Sequence, residues 1–398
     1  MSPLRRARVR IAGGGHRVTP FELFFDLVFV FAITQITAYV HETHTALGVL
    51  QGVIVLGLLW WAWSSYTWLG NQAHADEGLI RGGMVVAMVA VFVVALTIPE
   101  AWHDQPGGLP APMVLVVAYV GIRVIHELLY LAASSDDAGL RHQLLLNLVP
   151  LVGGGALLVA GALVEDGART ALWTGALVVD WIATYVTSMQ GGGWRINSVE
   201  HWVERHGLVV IIAIGESVVA IGVGASGTPV DWRLLLGAVL GMLVAAALWW
   251  LYFDLSAEAA ERALEGYDPE RQVRAAIEAY TYLHFWMILG IVVSAVGIEE
   301  ALAHAGDEGA LGGFSAGCLC LGVTAYLAGH VFSWLRLNGT FKVQRVATAA
   351  AVAAVTPLAA AMQALAALAM VALLLGVLVA YETVRYAAVR AELSRDRR

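Results

Sequence analysis

Glu22-Leu23-Phe24-Phe25-Asp26-Leu27-Val28-Phe29-Val30-Phe31 sets two carboxylates four residues apart in an otherwise apolar run. On a helix that spacing puts both acids on one face. A second apolar run, Ile211-Ile212-Ala213-Ile214-Gly215-Glu216-Ser217-Val218-Val219, carries one acid at its centre. A charge in the middle of a membrane helix costs about 2.5–3.5 kcal/mol on insertion scales. Chains keep such residues where they are paired, line water or do work.

Composition agrees with a membrane setting. Hydrophobic residues make up 59% of the 398 residues and charged residues 14%, with a mean hydropathy of +0.72. Soluble domains are about 45–50% apolar and about a quarter charged. The apolar residues come in runs of about 20, the length that spans a bilayer. The net charge of −8 matters less than where the charges fall. Cys318 and Cys320 lie two positions apart in an apolar run, which puts them on nearly opposite faces of a helix and argues against a disulfide or a shared metal. The Arg-rich start leads into an acid-containing apolar segment without a small-residue cleavage site, so it reads as a retained first helix.

The runs give about twelve spans, at 20–40, 47–69, 79–101, 111–133, 142–163, 170–189, 207–226, 233–255, 277–299, 313–335, 346–363 and 366–386. Ten or eleven follow if one pair is re-entrant. With the N-terminus in the cytoplasm, 20 of the 23 Lys and Arg residues, Arg205 among them, fall on the inner side. Only Arg169 and Arg233 fall outside, and Arg123 lies within a span. Positive residues mark cytoplasmic loops, so this split supports an even count with both termini inside.

The halves echo each other. Trp60-Trp61 follows Asp26 by 34 residues and Trp249-Trp250 follows Glu216 by 33. Tyr119, Arg123 and His126 match Tyr326, His330 and Ser333, each 207 positions on, as Pro150 matches Pro357. The expected fold is an all-α integral membrane protein of about 12 transmembrane helices in two parallel six-helix repeats. Its parts are an N-terminal cytoplasmic tail at 1–19, a first repeat at 20–190, a linker at 191–206, a second repeat at 207–387 and a cytoplasmic tail at 388–398. Six spans per repeat relate the halves by an axis along the membrane normal.

Eight residues form the expected polar network: Glu22, Asp26, Arg123, His126, Glu127, Asp180, Glu216 and His330. Tyr119, Arg123, His126, Glu127 and Tyr130 share one face of the fourth span. The repeat suggests an acid and a base in each half, Asp26 with Arg123 and Glu216 with His330. Such groups are candidate proton relays or ion sites, and equally the polar contacts that hold helices together. On the outer side, His41, Glu42, His44, His103, Asp104 and His304 match no closed metal site. There is no nucleophile elbow, zinc motif or phosphate loop, so no catalytic residue, metal or cofactor is expected.

Val18-Thr19-Pro20-Phe21-Glu22-Leu23-Phe24-Phe25-Asp26-Leu27-Val28-Phe29-Val30 resembles the bacterial low temperature requirement protein A family. So do Ile98-Pro99-Glu100-Ala101, Glu204-Arg205-His206-Gly207-Leu208 through Gly215-Glu216-Ser217, and Trp249-Trp250-Leu251-Tyr252-Phe253-Asp254. The resemblance implies a multi-spanning membrane protein named for a cold-growth phenotype, and it transfers no catalytic residue. Phe25-Asp26 is also loosely similar to the Phe-Ser-Asp motif of the endolysosomal potassium and proton channel family, with the Ser missing.

Two functions fit: a transporter or channel for a small ion or solute with proton coupling, or a non-transporting role in low-temperature or membrane-lipid adaptation. Either places the chain in the bacterial plasma membrane, with lipids and a small ion or solute as partners and no nucleic acid. A homo-oligomer is compatible with both.

Overall fold

The computed structural model of the chain describes residues 16–134, 137–191, 193–388 and 390. Most of the expected N-terminal and C-terminal tails lies outside these residues, as does Gly192 at the expected repeat boundary. Among the described residues the regular elements are all helical. They are α1 Pro20–Thr43, α2 Ala46–Gln72, α3 Gly78–Thr97, α4 Ala111–Ala133, α5 Ala138–Ala162, α6 Asp166–Gly191, α7 Val199–Gly224 and α8 Trp232–Phe253. Then follow α9 Ser256–Glu265, α10 Pro269–Ala275, a π-helical segment Ala276–Leu283, α11 His284–Ala303, α12 Gly313–Asn338, α13 Val343–Ala354, α14 Thr356–Ala361 and α15 Ala364–Arg385.

Eleven of these helical stretches are long and apolar enough to cross a membrane. The expected sixth span is present as the 26-residue α6, but it is not among the eleven. It carries Asp166, Arg169 and Asp180, which lower its apolar content. Other ends move for local reasons. Pro357 enters α14 in its first turn, so the eleventh span is broken into α13 and α14. Between α8 and the ninth span lie two short helices, α9 and α10, and the second runs straight into that span through the π segment. The start of α7 also moves, to Val199, eight residues before the expected 207.

The chain divides into two compact units. The first holds residues up to 43, 47–205 and 267–274, and the second holds 44–46, 206–266 and 275 onward. In the first unit α2 is the central helix. Trp60, Trp61, Trp63, Tyr66, Trp68 and Leu69 are all buried, which fits a helix apolar on every side. Arg169, expected in an outer loop, is buried there and donates to the carbonyls of Gly161, Val164, Ala101 and Trp102. It caps chain ends that would otherwise leave carbonyls unsatisfied.

In the second unit α11 is central, and it packs on α12 through glycines. A Cβ at Gly290 would lie 2.3 Å from the Tyr326 amide nitrogen, and one at Gly297 would lie 2.3 Å from that of Leu319. Across the contact, a Cβ at Gly322 would lie 2.4 Å from the Ser294 amide nitrogen. Small residues let backbones approach closely where lipid offers no hydrophobic drive to associate. Cys318 and Cys320 are free thiols buried on α12. Burial does not follow the sequence echo throughout, because Trp60 and Trp61 are buried while Trp249 and Trp250 are 44% and 37% exposed.

Gly290→Ala is expected to lower the stability of the purified protein by about 1–3 kcal/mol, the usual cost of overpacking. Thermal unfolding in detergent reads it, and an unchanged midpoint would show that α11 and α12 do not meet this closely.

Candidate functional site

The acids of α1 are fully buried in the first unit, Glu22 at 1% exposure and Asp26 at 0%. Their partners come from the first turns of α7. His201 Nε2 lies 2.9 Å from Glu22 Oε1, and Arg205 Nη2 lies 3.0 Å from Asp26 Oδ1. Arg205 Nη1 also reaches within 4.0 Å of Glu22 Oε1. Trp63 on α2 donates to Asp26 Oδ1 at 2.9 Å, and its ring lies 5.6 Å from the guanidinium carbon. Thr19 holds the other Glu22 oxygen through its amide and hydroxyl, at 2.9 and 3.1 Å. Gly70 makes room for this, since a Cβ there would lie 2.6 Å from Glu22 Oε1.

This arrangement explains the early start of α7. Glu200, Glu204 and Arg205 read as loop charges in the sequence. In the structure two carboxylates from 175 or more residues earlier give His201 and Arg205 buried partners, so that segment can be helical and buried. The site is not fully satisfied, however. Arg205 pairs with Asp26 by distance, but no nitrogen of Arg205 makes an aligned hydrogen bond, and Asp26 Oδ2 has no partner among the described residues. Buried polar groups are almost always hydrogen-bonded, so such a cluster in a core is a departure that calls for a role.

His16, Glu22 and His201 also bring three metal-ligand atoms within 4.8 Å of one another. The surrounding hydrogen bonds oppose a metal here. Asn71 Oδ1 accepts from the Asn197 amide at 2.8 Å and its Nδ2 donates to the Ser198 carbonyl at 2.7 Å, which fixes its orientation. That Nδ2 faces His201 Nδ1 at 3.3 Å, so Nδ1 accepts and Nε2 carries the hydrogen that Glu22 receives. A metal on Nε2 would need the opposite tautomer. Burial, and then neighbouring His201, hold the His16 imidazole below its usual range.

The expected pairing of Asp26 with Arg123 is corrected. Arg123 on α4 binds Asp180 on α6, and it donates to Tyr119 at 3.2 Å. Asp180 also accepts from Thr184 at 3.4 Å. Nor does Arg123 neutralise Glu127: that carboxylate has one oxygen 4.0 Å from His126 Nδ1 and the other without a partner among the described residues. His126 lies between the rings of Tyr66 and Tyr130. Glu127 shares a helix face with Arg123 four residues away, but the Asp180 carboxylate on a facing helix presents both oxygens to the guanidinium fork.

In the second unit the expected pairing of Glu216 with His330 is corrected as well. Both ring nitrogens of His330 are taken, Nε2 by the Tyr326 hydroxyl at 3.0 Å and Nδ1 by Arg345 at 3.0 Å. Arg345 grips Glu382 with two bonds, at 2.9 and 2.8 Å, and donates to the Leu251 carbonyl. Tyr326 passes its hydroxyl hydrogen to the Leu248 carbonyl. Every donor in this chain meets an acceptor. Glu216 is buried at 2% exposure on the second-unit part of α7. Elsewhere in that unit, Tyr252, Tyr280, His284 and His330 line a cavity of about 30 Å³ beside the π segment. Ser333 donates to the Ala279 carbonyl at 3.2 Å, taking up an acceptor of that irregular turn.

Sequence reasoning missed His201, Arg205, Trp63, Arg345 and Glu382. The signal for Arg205 was present, because it lies in one of the stretches that carry the family resemblance. Arg205→Met is expected to destabilise the protein by about 3–5 kcal/mol by leaving Asp26 buried without its cation. Asp26→Leu combined with Arg205→Met is expected to recover much of that loss. Thermal unfolding of the single and double variants checks this, and strictly additive losses would mean the two side chains do not interact.

Residues 17–380 match the family described as bacterial low temperature requirement A protein (LtrA). An uncharacterized protein of Rhizobium meliloti (strain 1021) is 30% identical over 298 residues, covering 71% of this chain and 69% of its own length. No solved structure matches. The match runs from the residue before the α1 motif into α15, across both units, and so this multi-pass membrane protein belongs to the LtrA family.

Proposed function

We propose that the protein is a non-enzymatic transporter or channel for a small ion or solute in the bacterial plasma membrane, with proton coupling and both termini cytoplasmic. The observation that carries this reading is the incompletely bonded ion pair of Asp26 and Arg205 at full burial. A purely structural lattice gains most when every group is satisfied, as around Arg345. A site that must exchange a proton or an ion keeps coordination open. Protonating Asp26 would remove its attraction for Arg205 and so bias whichever arrangement of α7 depends on the pair. The placement of Lys and Arg supports the orientation. The matched hydrogen bonds Arg123–Tyr119 and His330–Tyr326, 207 positions apart, support a two-repeat architecture with twelve spans, α6 included.

A second reading is a non-transporting role in low-temperature or membrane-lipid adaptation. The complete network around Arg345 favours it, since a fully bonded buried lattice fits a rigid scaffold.

Flux into liposomes under an imposed proton or potassium gradient tests the proposal, with wild type beside Asp26→Asn and Glu216→Gln. Wild-type flux that falls at least about tenfold in Asp26→Asn, with folded protein still in the membrane, is the expected result. Unchanged flux in both variants would overturn it, and no wild-type flux for either ion would favour the second reading.

A further inference from the structure

Lys342 is the only lysine in the chain, and it lies in the short connection between α12 and α13, outside the spans. It is nonetheless 7% exposed. Its ammonium lies 3.3 Å from the Ser256 hydroxyl on α9 and 3.6 Å from the ring centre of Trp334 on α12. No carboxylate among the described residues forms an ion pair with it. The acids that influence it are committed elsewhere: Glu382 on α15 to Arg345, and Asp254 at the end of α8 to Arg390. Burial first, and then the Arg345 cation, pull the Lys342 amine down to about 7.

This amine opens on a cavity of about 450 Å³, also lined by Arg262, Trp334, Phe341 and Tyr386. Arg262 is ion-paired with Glu258 at 3.0 Å, and its side chain is half exposed. Phe341 is 58% exposed at the rim, and next to it Val343 is 69% exposed. The cavity therefore joins two cations to an apolar, aromatic edge at the end of a membrane helix. Aromatic residues gather at that depth, and basic pockets beside membrane helices suit anionic headgroups.

We propose that this cavity binds the phosphodiester headgroup of an anionic phospholipid, with Lys342 as its buried cation and Phe341 against the acyl chain. An isolated buried ammonium is unfavourable, and a phosphate oxygen supplies the missing counter-charge. A free phosphate would satisfy the cation but has no use for the exposed Phe341 and Val343, so the lipid is the better occupant. The site stands independently of any transport activity.

Native mass spectrometry of delipidated protein in neutral detergent tests it, with phosphatidylglycerol or phosphatidylcholine added. Wild type is expected to retain phosphatidylglycerol at least about tenfold more strongly than Lys342→Gln, and to show no such preference for phosphatidylcholine. Lys342→Arg is expected to keep binding. Phe341→Ser, a rim change compatible with folding, is expected to weaken binding and keeps the test open if Lys342→Gln fails to fold. Equal phosphatidylglycerol retention by wild type and either of these weakened variants would overturn the proposal. So would full displacement of the lipid by inorganic phosphate, which would make this a site for soluble phosphate.

Discussion

A carboxylate taken out of water must find a cation or give up its charge, and Glu22 and Asp26 bring that demand into the core of the first unit. Both are buried on α1, and the groups that answer them come from His201 and Arg205 at the start of α7. The consequence is architectural. A polar connection becomes two turns of helix, Trp63 of α2 turns its N–H toward Asp26, and Gly70 is needed on α2 to let Glu22 pass. Breaking one contact leaves several buried groups without partners, so these residues behave as a set.

The two units handle buried polarity differently. In the second, a histidine, a tyrosine, an arginine and a glutamate form a continuous chain of hydrogen bonds that ends on a backbone carbonyl. That chain joins α8, α12, α13 and α15 without a loose end. Helix contact beside it comes from glycine, where the backbones of α11 and α12 nearly touch. In the first unit the ion pair is close but poorly aligned, and oxygen and nitrogen atoms remain without partners. The contrast lies between these two clusters, one fully bonded and the other not.

Much of this was legible in the residues. Apolar runs located the long helices, because the length and composition of a membrane span are set by the bilayer and not by distant contacts. The intramembrane acids were legible for the same reason: they stand out against apolar neighbours. Their partners were not. Pairing across helices depends on which faces meet, and neither periodicity nor the echo between halves encodes that. Arg123 went to Asp180 and not to Asp26 or Glu127, and His330 went to Arg345 and not to Glu216. Arg205 was hidden by its polar neighbours, since Glu200 and Glu204 make the segment look solvated. Lys342 was hidden the same way, as a loop residue whose burial comes from helices that enclose it.

Hydrogen–deuterium exchange of the backbone at Val199–Gly207, in wild type and Asp26→Ala, separates a buried helical start of α7 from a solvated linker. If Arg205 and His201 are drawn into the core by the acids of α1, these amides exchange slowly in wild type and quickly in the variant. Fast exchange in wild type, or equal protection in both, would mean that the buried ion pair does not organise this part of the chain.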